Sequence, residues 1–119
     1  MVEKSDFFHD LAVVLDAWSQ TSTDSLTADK ADLLWMEEKD GCIRMREAFE
    51  KAGVESSAVR AVLNECFRGL LVSALSIIDG ATEMVKKGRV HLVNEDGEPL
   101  GEGLHQEFVN YLFDTVRLK

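Results

Sequence analysis

The sequence predicts a mainly α fold: a small bundle of four to five helices around a buried central helix, with one β-hairpin before the C-terminal helix. Three observations predict it. Apolar residues recur at helical spacing through most of the 119 residues. The stretch Gly69 to Ile78 (GLLVSALSII) is apolar almost all round, the pattern of a helix covered on every side. A short alternating run, RVHLV, precedes a cluster of turn residues. The length suits a single domain spanning 1–119, and 45% hydrophobic and 29% charged residues with one Pro describe an ordinary globular chain.

Each element follows from local pattern. Ser5 is placed to N-cap the first helix, where Phe7, Phe8, Leu11, Val14, Leu15 and Trp18 fall on one face. The polar stretch SQTSTDS should end it, because hydroxyl side chains compete for backbone hydrogen bonds and favour turns. Thr27 can cap a second helix with Asp29 in its first turn, which Gly41 terminates or interrupts. Cys42, Met45, Phe49 and Ala52 then carry an apolar pattern to Gly53, which suits the position just past a helix end.

Ser56 opens the central helix, whose apolar surface takes in Val59, Leu63, Cys66, Leu70, Leu75, Ile77, Ile78, Met84 and Val85. Asp79-Gly80 should kink it or cap its next turn, and Lys86, Lys87 and Gly88 read as a basic last turn and a stop. Val90 and Leu92 alternate with His91 and Val93 before the turn at Asn94 to Gly97, the hairpin signal. Pro99 has no N–H to donate, so the return strand should be short and at an edge. Leu104, Phe108, Leu112 and Val116 form the stripe of the closing helix.

Charge narrows the function. Thirteen basic against 22 acidic residues give −9, a sign that opposes nucleic acid and anionic membranes. Residues 1–40 carry −7, residues 41–93 carry +2 and residues 94–119 carry −4. The start MVEKSDFFHD lacks a secretory pattern and Gly69 to Ile78 is half the length of a bilayer span, so neither export nor a membrane is expected. Cys42 and Cys66 stand apart without a CxxC, which suits free thiols in the cytoplasm.

Few groups suggest catalysis. Asp6, His9 and Asp10 lie at i, i+3 and i+4 and can begin a metal site, but the same spacing describes a solvated face. Glu102 and His105 have the Glu-x-x-His spacing of di-iron bundles, yet only one copy is present. Cys42 after Gly41 can lie at a helix start, although a cysteine on an apolar stripe reads as core, as does Cys66. No phosphate loop is encoded and no cofactor is expected.

The most informative feature is Leu33-Leu34-Trp35-Met36. Four consecutive apolar residues on a helix cannot all face one core. Leu33 and Met36 would share a side with Asp29, Asp32 and Asp40, so that side is either covered by the chain's own elements or is an acid-rimmed binding patch. The expected function is a noncatalytic acidic interaction domain that binds or occludes a partner protein with a basic surface. Asp29, Asp32, Leu33, Met36 and Asp40 would form the contact, and a homodimer is compatible with the same reading. Immunity proteins and antitoxins use this strategy, and the parallel is one of charge and size only. The alternative is a small metal-dependent hydrolase built from Asp6, His9, Asp10, Glu65, Asp79 or Glu83.

Overall fold

A computed structural model of the protein describes residues 1–116. The chain is mainly helical: α1 (Lys4–Thr27), α2 (Asp40–Ala52), α3 (Ser56–Ile78), a single 3-10 turn (Glu83–Lys86) and α4 (Leu104–Asp114). These pack as two compact units. One comprises Met1–Val14 with the chain from Arg68 onward, and the other comprises Leu15–Phe67, so α1 and α3 each give one end to each unit.

In the first unit the start of α1 lies against α4. Phe8 packs on Phe108 at 5.5 Å and on Tyr111 at 5.9 Å between ring centroids, and Ala12, Leu75, Leu104, Phe108 and Leu112 are buried with it. The predicted stripe of α4 is thus its core face, except that the helix stops at Asp114 and Val116 is exposed. The start of α1 differs from expectation. Ser5 is already inside the helix, and the carboxylate of Asp6 accepts the Glu3 N–H at 2.9 Å, as in one half of a capping box.

The second unit holds the largest departure. SQTSTDS does not turn; it is the last two turns of α1. Its hydroxyls bond back along the helix, Thr23 Oγ1 to the Ser19 carbonyl at 2.6 Å and Ser25 Oγ to the Thr21 carbonyl at 2.9 Å, and Thr27 beyond it does the same to the Thr23 carbonyl at 2.7 Å. Ser19, Ser22, Thr23 and Ser25 are buried, and the Asn64 amide of α3 donates to Ser19 Oγ at 3.0 Å. A hydroxyl that satisfies itself within the helix no longer needs a turn or water, and small side chains let helices come close.

The central-helix expectation fails. Of α3 only Val59 and Leu75 are buried, Leu63 and Ile78 are half-buried, and Cys66 and Ile77 are exposed. Val62 is 63% exposed and Leu70 68%. An apolar run therefore marked a helix but not its cover. The helix ends at Gly80 (φ +81) rather than kinking there: Gly80 N–H reaches the Ile77 carbonyl and Ala81 N–H the Ser76 carbonyl, the pattern also formed at Gly53 (φ +67) as expected.

The β-hairpin is also corrected. The chain does reverse at Asn94, whose side-chain oxygen takes the Asp96 and Glu98 N–H groups at 3.0 Å each. However, only one antiparallel bridge forms, Val93 to Pro99, and no strand is present among the described residues. Pro99 and the bond-sharing by Asn94 leave too few backbone partners for a ladder.

Candidate functional site

The predicted contact residues lie in the second unit, but not on a helix. Residues 28–39 form an irregular connection between α1 and α2. Its geometry is set locally: Asp32 Oδ1 accepts the Leu34 N–H at 2.8 Å, and Met36 N–H bonds the Leu33 carbonyl at 2.9 Å. The Asp32 side chain thereby offers the backbone a turn in place of a helical bond. The proposed sharing of one helix side by Leu33, Met36, Asp29, Asp32 and Asp40 therefore does not hold.

Exposure within the run is uneven. Leu33 and Met36 are half-buried, whereas Leu34 is 81% exposed and Trp35 43%. Trp35 is fixed by an edge-on contact with Trp18 of α1, centroids 5.1 Å apart. Asp29, Asp32, Glu37, Glu38 and Asp40 are all exposed along the same segment, against Lys30 and Lys39. Asp40 pairs with Arg44 one turn on at 3.6 Å, an exposed contact. Sequence reasoning passed over Leu34 and Trp35 because it assumed a helical period where the chain has none.

The segment is tied down from α2. Arg46 donates through Nε to the Ser25 carbonyl at 2.9 Å and through a terminal nitrogen to the Asp29 carbonyl at 3.4 Å, and the buried Cys42 thiol donates to the same Ser25 carbonyl at 3.2 Å. Ser25 lies in the last turn of α1, so these bonds satisfy carbonyls that the helix leaves open. Cys42 is thus a core thiol, as its apolar stripe suggested, while Cys66 is exposed rather than core.

The first unit contains a second polar cluster, which local pattern could not reveal. Asp79, just past α3, accepts the Leu104 N–H at 2.9 Å and the His105 N–H at 2.8 Å, and pairs with His105 Nδ1. It caps a helix that begins 25 residues later, not the turn that follows it in sequence. Burial acts to raise the Asp79 carboxyl, but the backbone and ring hydrogen bonds of His105, the Leu104 N–H and the His105 charge outweigh it. The carboxyl is held below its ordinary 3.8. Beside it Arg89 reaches the Ile78 carbonyl at 3.3 Å and Glu102 at 3.1 Å. These contacts close the end of α3 and the start of α4 and pair Arg89 with Glu102.

The other catalytic suggestions are not assembled. Asp6, His9, Asp10 and Glu83 are exposed. Among the described residues no group of three or more His, Cys, Asp or Glu side chains is placed to hold a metal ion. Glu102 lies outside α4 and meets Arg89 rather than sharing a site with His105. By length and composition Ser56–Lys86 could cross a membrane, and only 6% of its apolar window is buried. No protein-family model, curated protein or solved structure matches the chain.

Proposed function

We propose that the protein is a noncatalytic interaction module that binds a partner protein with a basic surface. The observation that carries this reading is the 33–36 run: Leu34 and Trp35 are exposed on a connection whose carboxylates Asp29 and Asp32 are exposed as well, with exposed Asp40 opening α2 directly after it. Carboxylates of one sign accelerate encounter with a basic surface, and desolvation of the apolar pair then slows departure. Leu33 and Met36 are half-buried in the same run. Occlusion of the partner's own surface is the mechanism. Two thiols outside any disulfide support a cytoplasmic setting.

A photo-crosslinking amino acid placed at 34, and in a second version at Glu95 in the other unit, tests this in cells. A basic protein captured at 34 and not at 95 supports the reading. No adduct at 34, or the same adducts at both positions, overturns the 33–36 run as the contact.

The exposed Leu70 and Ile77 of α3 favour a second form of the reading, in which the partner is another copy of the chain. The molar mass in solution decides between them. A dimer that Leu70→Glu dissociates supports self-association, and a monomer at all concentrations rejects it.

A further inference from the structure

The second unit carries a groove that the 33–36 run does not use. Leu26 at the end of α1, Met45 and Phe49 of α2, Val54 between α2 and α3, and Val59 and Val62 of α3 line a volume of about 260 Å³ with apolar side chains. Met45, Val54 and Val62 are exposed, so the groove is open along one side. It adjoins a second cavity of about 460 Å³ through the shared Phe49 and Val54, and there the walls include Asp29, Glu50 and Glu55. Arg46 is the one base on those walls, so three carboxylates stand against a single guanidinium, which bonds the Ser25 and Asp29 carbonyls through two of its nitrogens. One end of the groove therefore selects apolar groups and the other selects cations.

We infer that this composite groove receives a basic amphipathic helix of the partner, an apolar side chain entering between Met45, Phe49 and Val62 and a Lys or Arg reaching Glu50 and Glu55. A helix presents those two chemistries within one turn of each other, at i and i+3 or i+4. The charge complementarity excludes an acidic helix and, with the chain at −9, disfavours a second copy. The inference rests on the interaction-module reading and adds the partner's form and its seat.

The probe is a fluorescent 18-residue Leu/Lys amphipathic peptide titrated into the full chain, with its Leu/Glu counterpart as the comparison. Saturable binding of the Leu/Lys peptide alone is expected. Joint replacement by Met45→Gln and Val62→Asn keeps the charge and alters two exposed positions, so helicity should be retained while affinity falls about tenfold or more. Backbone amide shifts of the wild-type protein give a readout independent of any variant, and residues 45–63 should move. Binding that survives the double replacement, or shifts confined to residues 33–36, would overturn the groove while leaving the proposed function standing. Equal binding of both peptides, or none, would overturn the groove as well. Failure of the crosslink at position 34 with binding retained here would reject the 33–36 run and keep the groove.

Discussion

The Asp79 carboxylate reaches across 25 residues of sequence to accept the first backbone N–H groups of α4 from Leu104 and His105, and holds the His105 ring as well. The residue at the usual cap position is Gly103, which has no side chain to offer and lies in the left-handed region at φ +66. Asp79 supplies what Gly103 cannot, and an anion at a helix start also meets the favourable end of the macrodipole.

Removal of that carboxylate should be costly. Asp79→Ala leaves two helix-end N–H groups and a ring nitrogen without their acceptor, and should lower unfolding free energy by about 1 to 3 kcal/mol. Urea titration reads the change directly, and an unmoved midpoint would show that water replaces the cap without loss.

The same group predicts an acid limb of stability. Because the folded carboxyl lies below its ordinary 3.8, ionised Asp79 stabilises the fold above that pH, and the contribution is lost as pH falls through the lowered folded value. The midpoint should decline below about pH 4 on this account, and Asp79→Asn should show a shallower decline. Parallel pH profiles for the two proteins would reject the assignment.

Burial divides residues that share hydrophobicity. Phe108 is fully covered beside Phe8, so Phe108→Ala should cost about 3 to 5 kcal/mol. Leu70 is 68% exposed, and Leu70→Ala in dilute protein should shift stability by no more than about 0.5 kcal/mol. A large loss for Leu70→Ala would restore the covered central helix that the sequence suggests.

Two glycines on and beside α3 should respond with opposite sign. Gly69 lies inside the helix with open space where a Cβ would stand, so Gly69→Ala should stabilise by about 0.5 to 1 kcal/mol. Gly80 adopts φ +81, and a Cβ there would lie 2.8 Å from Arg89 Nε. Gly80→Ala should therefore destabilise by about 1 to 2 kcal/mol from the backbone alone. Thermal melts of the pair test the contrast.

The helical class, the core stripe of α4 and the stop at Gly53 follow from the sequence, because each depends on residues within a few positions of one another. Spacing at i, i+3 and i+4 fixes which side chains share a face, and a glycine fixes where a left-handed residue is tolerated. The reading of residues 20–40 went wrong for a reason of the same scale: hydroxyl and carboxylate side chains can bond either within a helix or to a turn. Thr23, Ser25 and Thr27 took the first course and Asp32 the second. That choice was decided by packing, since Asn64, Cys42 and Arg46 reward the extended α1 with bonds to Ser19 and Ser25. Tertiary structure alone decided three further matters: that α3 is covered at Val59 and Leu75 but not at Leu70, that Asp79 meets His105, and that Leu34 and Trp35 point outward instead of Leu33 and Met36. Apolar character records what a residue gains from burial, but which residues gain it depends on neighbours brought from elsewhere in the chain.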